Sequence, residues 1–147
     1  MSTTVHEILS GKSSQIHSVA PDTSVYEALD IMARTDISAV LVLEGERLVG
    51  IFTERDYARK VALRGRNSKD TLIREVMTEN LLTVSPSQDV DDVMAIMTEN
   101  RFRHLPVVDR GRLAGIVTIG DAVKAVMEEQ RQTIAQLSSY ISGDITT

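Results

Sequence analysis

The sequence carries one seven-residue signature twice, as Gly50-Ile51-Phe52-Thr53-Glu54-Arg55-Asp56 and as Gly115-Ile116-Val117-Thr118-Ile119-Gly120-Asp121. In both copies glycine is followed by threonine at the third position after it and by aspartate at the sixth. Each signature begins in an apolar run that is typical of a β-strand and ends where a helical pattern starts. The pattern therefore predicts a hydroxyl and a carboxylate at the start of a helix in each copy.

The signature belongs to a longer internal repeat. When Asp56 is superposed on Asp121, the segment Val19–Val61 aligns with Val84–Val126 without a gap. A repeat of this length indicates two copies of one supersecondary unit. We predict a first unit with its lead-in over 1–65, a second unit over 66–127 and a helical extension over 128–147.

Each copy has the same order of elements. In the first copy, Val25, Ala28, Leu29 and Met32 recur at helical spacing. Two short apolar runs around a turn at Gly45 then predict a β-hairpin, and a second helix follows. The unit is β-α-β-β-α, and its small sheet needs a second copy to cover it. The sequence predicts a mixed α/β fold.

Composition narrows the function classes. The chain has 147 residues, 42% of them hydrophobic, only 3% aromatic, and a net charge of −5. It has no cysteine, which excludes disulfides, thiolate metal sites and cysteine nucleophiles. No apolar run approaches the ~18 residues that a membrane helix needs, and no secretory signal pattern is visible. We expect a cytoplasmic protein with no membrane partner.

One segment is basic, although the chain as a whole carries a negative net charge. Between Arg55 and Arg74 there are seven basic residues and two acidic ones. This segment is interpreted as a solvated helix face and loop, and the alternative is a local field that attracts an anionic ligand. Nucleic acid is not an expected partner, because the net charge is negative and aromatic stacking platforms are missing.

The repeated threonine and aspartate have two interpretations. At a helix start, a hydroxyl and free amides favour a phosphate, and a carboxylate accepts hydrogen bonds from the paired hydroxyls of a ribose. Thr-x-x-Asp is also close to a capping box, which needs no ligand. The residues alone leave both interpretations open.

The doubled signature, together with the segment Arg103-His104-Leu105-Pro106-Val107-Val108-Asp109, resembles a tandem pair of CBS (cystathionine-β-synthase) domains over about residues 4 to 127. The resemblance implies two β-α-β-β-α units packed with pseudo-twofold symmetry into a Bateman module. Members of this family commonly bind AMP, ADP, ATP, S-adenosylmethionine or NAD in clefts between the units. Many regulate other proteins, and stand-alone members usually form homodimers.

The resemblance also implies two clefts. The first takes its ribose and phosphate contacts from Thr118, Asp121, Arg103 and His104, and its apolar wall from Ile16, Ile37 and Ala39. The second takes Thr53 and Asp56, with Leu82, Phe102 and Pro106 near the base. Ser38-Ala39 stands where the other copy has Arg103-His104, although Arg55 lies nearby. We therefore expect tighter phosphate binding at the Asp121 cleft, while an adenosine-type or dinucleotide ligand at the other stays open.

Two other patterns are rejected. Gly11-Lys12-Ser13 resembles the end of a P-loop, but the glycine required five residues earlier is His6. His6, His17 and His104 lack the spacing of metal ligands, so no metal site is expected.

The C-terminal residues predict a long amphipathic helix. Val123, Val126, Met127, Ile134, Leu137 and Ile141 share one face. The helix runs past the second copy, so we expect it to help form a homodimer. The alternatives are a frayed tail and a helix that folds back onto its own module.

The sequence therefore favours a non-catalytic sensor of adenine nucleotides that acts on a regulated protein it does not identify. A structural or dimerisation module with empty clefts is the alternative. A small hydrolase has little support, because no nucleophile–base pair can be nominated.

Overall fold

The computed structural model describes residues 2–12 and 16–141 of the chain. Helices and strands alternate as the repeat predicts, and the long final helix is present. The α-helices are α1 (Val5–Ser10), α2 (Val25–Thr35), α3 (Glu54–Asp56, continued by a π-helical turn at Tyr57–Ala62), α4 (Val90–Asn100) and α5 (Ile119–Ile141), and a short 3-10 helix spans Ile73–Glu75. The strands are β1 (Ser18–Val19), β2 (Ala39–Glu44), β3 (Arg47–Thr53), β4 (His104–Asp109) and β5 (Arg112–Thr118).

The strands form two small sheets. In the first, β1 runs parallel to β2, and β2 runs antiparallel to β3. The second sheet pairs β4 with β5, and a single parallel bridge from Val84 to Val107 takes the place of a first strand. The mixed α/β class and the order of elements are therefore confirmed.

The repeat extends to the way in which equivalent helices begin and end. Helix α2 is capped by Ser24, whose hydroxyl accepts from the Glu27 amide, and α4 is capped by Asp89. Both helices stop at a residue in the left-handed region, Asp36 at φ 54° and Arg101 at φ 57°. These two residues are equivalent in the repeat, so the chain leaves both helices in the same direction.

The chain folds into two compact units that do not coincide with the two sequence copies. One unit takes the described residues of Met1–Ser14, Val84–Val107 and Ile116–Thr147, and the other takes those of Gln15–Thr83 and Val108–Gly115. We call them the α5 unit and the α2 unit. Each contains most of one copy together with the lead-in segment of the other.

Backbone hydrogen bonds explain this exchange of lead-ins. In the α5 unit, the amide of Val5 donates to Gln88 at 2.8 Å and the amide of His6 donates to Pro86 at 2.9 Å. In the α2 unit, the amide of Val25 donates to Thr71 at 2.8 Å. Each lead-in thus satisfies backbone groups at the turn before the helix that it joins.

Each unit has its own apolar core. In the α2 unit, residues from α2, β2 and β3 surround Phe52, which is fully buried. In the α5 unit, Val5 of α1 packs with residues of α4, β4, β5 and the first turns of α5. Helix α1 is therefore fixed to the unit that contains Asp121, which decides where the residues after α1 lie.

Helix α5 leaves its core soon after it begins. Ala122 is fully buried and Val126 is half-buried against the same core, whereas Met127, Ile134, Leu137 and Ile141 are exposed. No helix in the described part of the chain is long and apolar enough to cross a membrane.

Candidate ligand-binding site

Both signatures lie at a junction between a strand and a helix, and both form reciprocal caps. The Thr53 hydroxyl accepts from the Asp56 amide at 3.1 Å, and the Asp56 carboxylate accepts from the Thr53 amide at 3.0 Å. Thr118 and Asp121 repeat this arrangement at 3.1 and 2.9 Å. The geometry of a capping box is therefore present in both copies. Whether a ligand can also bind depends on what acceptor capacity each carboxylate keeps.

Asp56 has its carboxylate filled by protein donors. Oδ2 accepts from the Thr53 amide and, at 3.1 Å, from the Thr53 hydroxyl. Oδ1 accepts from the Thr78 hydroxyl at 2.9 Å and pairs with Nζ of Lys60 at 3.0 Å. A carboxylate offers about four lone-pair positions. All of them are occupied, and Asp56 is 7% exposed.

Asp121 keeps one oxygen available. Its Oδ2 accepts from the Thr118 amide at 2.9 Å and from Nζ of Lys12 at 2.7 Å. No donor among residues 2–12 and 16–141 is recorded at Oδ1, and the side chain is 21% exposed. With respect to the described residues, Oδ1 thus retains about two lone-pair positions.

One position in the repeat accounts for part of this difference. Lys60, which covers Oδ1 of Asp56, is equivalent to Ala125 in the second copy. Alanine has no donor on its side chain, so helix α5 cannot cover its own aspartate in this way. This replacement, one helical turn away, removes one of the two donors that fill Oδ1 in the first copy; the other is the Thr78 hydroxyl.

A basic pair lies beside this carboxylate. The Arg103 carbonyl accepts from the Ile119 amide at 2.9 Å, which joins the start of β4 to the start of α5. In the α2 unit, the carbonyl of Ser38 accepts from the Glu54 amide at 3.1 Å in the equivalent place. The same backbone link therefore brings Arg103-His104 to one aspartate and Ser38-Ala39 to the other.

Burial and neighbouring charges shift the pKa values of Asp121 and His104. Burial alone would raise the pKa of Asp121, but hydrogen bonds from Lys12 and Thr118 and the charge of Lys12 bring this pKa below its ordinary value. Burial lowers the pKa of His104, and the charges of Arg103 and Lys12 lower it further, against the opposing charge of Asp121. At neutral pH the site therefore presents a carboxylate, two cations and an uncharged imidazole.

The structure places the predicted residues in two groups. Thr118, Asp121, Arg103 and His104 come together at the junction of β5 and α5. The other predicted residues of the α5 unit are Phe102, half-buried against its core, and Pro106, buried in β4. The α2 unit contains Thr53 and Asp56, together with Ile16, Ile37, Ala39 and Leu82.

The residues predicted to line the base stay predictions. Except for Leu82, which shares the α2 unit with Asp56, each of them belongs to the unit that does not contain its aspartate. Their approach to the carboxylate therefore rests on the resemblance. Within the α2 unit, Ile37 packs against the core, Ala39 is buried in β2, and Leu82 is 42% exposed. No group of three or more histidine or acidic side chains in the described residues is arranged to hold a metal ion.

Three residues that contact these aspartates were missed by the sequence reasoning. Lys12 was considered only as part of a rejected P-loop pattern, although it is the donor closest to Asp121. Lys60 and Thr78 fill the acceptors of Asp56. Comparing the two copies shows that Ala125 replaces Lys60. The effect of this replacement on the site depends on which carboxylate oxygen of Asp56 the lysine contacts, and the sequence does not show that.

Comparison with known proteins agrees with the repeat. The profile of the CBS domain matches residues 5–63 and 73–128. The CBS domain-containing protein CBSX3, mitochondrial, of Arabidopsis thaliana is 38% identical over 151 residues, which span 97% of this chain and 73% of the relative.

Solved structures give the same result. The CBS-domain containing protein ATU1752 from Agrobacterium tumefaciens is 41% identical, with a TM-score of 0.80 over 84% of this chain and 98% of that one. The CBS domain pair of MJ0100, solved with 5′-methylthioadenosine and S-adenosyl-L-methionine, is 28% identical, with a TM-score of 0.76 over 88% and 99%. CBSX2 in complex with AMP is 28% identical, with a TM-score of 0.72 over 87% and 98%. The chain therefore belongs to the CBS domain family and carries two CBS domains in tandem.

Proposed function

We propose that this protein is a non-catalytic regulatory module that binds an adenosine-containing ligand at Asp121. In this proposal the Asp121 carboxylate accepts from the ribose hydroxyls. Arg103 and His104, at the start of β4, face the phosphate end of the ligand. A ligand of this kind regulates by binding one arrangement of the protein better than another.

The single observation that carries the proposal is the difference between the two aspartates. Oδ1 of Asp121 retains acceptor positions, whereas both oxygens of Asp56 are filled by Thr53, Thr78 and Lys60. A ribose brings two neighbouring hydroxyl donors, which matches the two lone-pair positions at Oδ1. We propose that ribose binds at Asp121 and that the Asp56 junction is a structural cap.

The relatives support the class of ligand. MJ0100 was solved with 5′-methylthioadenosine and S-adenosyl-L-methionine, and CBSX2 with AMP. The adenine base with its ribose ring is the part that these three molecules share. Arg103, whose carbonyl accepts from the Ile119 amide, brings a positive charge to the start of α5. This charge favours a phosphorylated form such as AMP over an uncharged nucleoside.

Thermal unfolding with a panel of ligands tests this proposal. The protein is unfolded alone and with AMP, ADP, ATP, NAD, S-adenosylmethionine or inorganic phosphate. A ligand at a hundred times its Kd stabilises the folded state by about 2.7 kcal/mol, which is a clear shift of Tm. We expect a shift with AMP and none with phosphate at the same concentration.

Two outcomes oppose the proposal. No shift with any adenosine compound, for protein shown by mass spectrometry to carry no bound nucleotide, favours a structural module with empty clefts. Conversion of AMP, ATP or NAD to product by the purified protein would contradict the non-catalytic role.

We also propose that the protein is a homodimer held in part by α5. Val123, Met127, Ile134, Leu137 and Ile141 are all exposed on this helix. With Gln130, their spacing alternates between four and three residues, which is the spacing of a coiled-coil seam. A row of apolar side chains in this register, three helical turns beyond the core, favours pairing with the same helix of a second copy. Light scattering at micromolar concentration is expected to give twice the mass of the chain, and a single monomer peak would contradict the dimer.

A further inference from the structure

Lys12 lies directly after helix α1, and the anchoring of α1 decides where its ammonium group lies. The helix begins at a capping box formed by Thr4 and Glu7. Its Val5 side chain is fully buried in the core of the α5 unit. At the other end, the Gly11 amide donates back to the carbonyl groups of the last turn. Lys12 therefore leaves a fixed point of the same unit that contains Asp121.

The ammonium group of Lys12 makes two defined contacts there. Nζ lies 2.7 Å from Oδ2 of Asp121 and donates to the Ile116 carbonyl at 3.0 Å. The side chain is 30% exposed, and the partner carboxylate 21%. A half-buried pair with a second acceptor is held more firmly than an ion pair in open solvent.

The contact is confined to one of the two carboxylate oxygens. Together with the Thr118 amide, Lys12 fills Oδ2. The carboxylate plane is thus fixed from one side, and Oδ1 is the oxygen left for other donors. In the α2 unit the corresponding lysine contact falls on Oδ1 of Asp56 instead, since Lys60 comes from the aspartate's own helix.

We propose that Lys12 is a positioning residue for ribose binding: it holds Oδ2 of Asp121 so that Oδ1 faces the ligand. This inference rests on the proposed function, because it assigns a role within that same site. Lys12 acts through Asp121 and not on the ligand's phosphate. Burial raises the pKa of Asp121, and the hydrogen bond and charge of Lys12 oppose this effect.

A double-mutant cycle tests whether Lys12 acts through Asp121. AMP affinity is measured by calorimetry for the full chain and for Lys12→Met, Asp121→Asn and the double variant. We expect Lys12→Met to weaken AMP about tenfold, and to have no further effect once Asp121 is Asn. Lys124→Met is the matched control, because Lys124 is an exposed lysine on α5, and it should bind AMP as the unmodified protein does.

Two further measurements separate positioning from other roles. Lys12→Arg restores a donor to Oδ2 and should recover most of the lost affinity, which a role in packing alone does not predict. Adenosine, which has no phosphate, should be weakened by Lys12→Met by the same factor as AMP. The adenosine comparison also decides the matter if Asp121→Asn binds AMP too weakly to measure.

Three results would overturn the inference. They are unchanged AMP affinity in Lys12→Met, a loss that persists in the Asp121→Asn background, and a loss for AMP that is much larger than for adenosine. The last two would make Lys12 a direct phosphate contact. An unmodified protein that binds neither AMP nor adenosine overturns the proposed function itself, and this outcome is distinct from the other three.

Discussion

Nζ of Lys60 lies 3.0 Å from Oδ1 of Asp56, one turn along the same helix. The equivalent of Lys60 in the second copy is Ala125, and the equivalent of Asp56 is Asp121. Thus in the first copy both carboxylate oxygens of Asp56 accept from protein donors, whereas in the second copy the described residues donate to Oδ2 of Asp121. The different contacts of the two carboxylates follow in part from this replacement, because the signature itself is the same in both copies.

Removing Lys60 is expected to destabilise the protein. In Lys60→Met the buried carboxylate of Asp56 loses its cation but keeps Thr53 and Thr78, so the free energy of unfolding should fall by about 1–2 kcal/mol. Arg59→Met removes an exposed charge from the neighbouring position and should change it by less than about 0.5 kcal/mol. Urea unfolding at pH 7 measures both variants, and equal effects would show that the Lys60–Asp56 contact contributes nothing specific.

Gly50 is expected to tolerate no side chain, for a steric reason. A Cβ atom at this position would lie 2.6 Å from Sδ of Met77 and 3.1 Å from the Thr78 carbonyl oxygen. The methionine can move, but the backbone oxygen cannot do so without disturbing the bridge between Ile51 and Thr78. Gly50→Ala should therefore cost about 1–3 kcal/mol.

Gly11→Ala provides the comparison for Gly50, because a Cβ atom there meets only carbonyl oxygens at 3.6 Å or more. Chemical denaturation of both variants measures the difference. An alanine at position 50 that is tolerated as well as one at position 11 would contradict the close approach.

His104 should make stability depend on pH. Its pKa is lowered in the folded protein, so folding favours the neutral form. The resulting stability is fully present above about pH 6.5, the ordinary value for histidine, and is lost as pH falls through the lower folded value. The pKa of Asp121 is also lowered, but from an ordinary value near 4, so Asp121 contributes only at more acidic pH.

Unfolding by urea at pH 7.5 and pH 5.5 tests this dependence. The unmodified protein should lose stability at pH 5.5, and His104→Gln should lose less. His6→Gln replaces an exposed histidine and serves as the control. A His104→Gln variant with the full pH dependence would show that this histidine is not the group responsible.

The apolar seam of α5 can be broken at its centre. Ile134 is 65% exposed, and in the coiled-coil register it faces a second helix. Ile134→Asp would place a charge in that interface, so the dimer should dissociate at micromolar concentration while the monomer fold is retained. Gln132→Asp adds the same charge on the opposite face and should leave the dimer intact. Sedimentation analysis distinguishes the two, and identical behaviour would rule out this face of α5 as the dimer contact.

The repeat made most of the fold predictable from the sequence. Two copies of one pattern predicted the element order, the hairpins and the long helix α5, because periodicity and turn residues act locally. The grouping of the lead-ins was not predictable in this way. It depends on backbone hydrogen bonds between Val5 and Gln88 and between Val25 and Thr71, which join segments far apart in the chain.

The candidate site was predictable in part. The signature predicted Thr118 and Asp121, which the structure joins in a reciprocal cap, and the resemblance to CBS domains predicted Arg103 and His104. Lys12 was not found, because its contact with Asp121 depends on the packing of α1 against the α5 unit. The state of each carboxylate oxygen needs the side-chain geometry, which a residue pattern does not contain.

Calorimetric titration of AMP into the unmodified protein and into Asp121→Asn tests the central claim most directly. Asp92→Asn is the matched control, because Asp92 has the same capping role at the start of α4. We predict one AMP per chain for the unmodified protein and the control, and an affinity lower by about tenfold or more for Asp121→Asn, since hydrogen bonds to a charged acceptor contribute about 1.5–3 kcal/mol each. AMP binding that is unchanged in Asp121→Asn would contradict the assignment of Asp121 as the ribose acceptor.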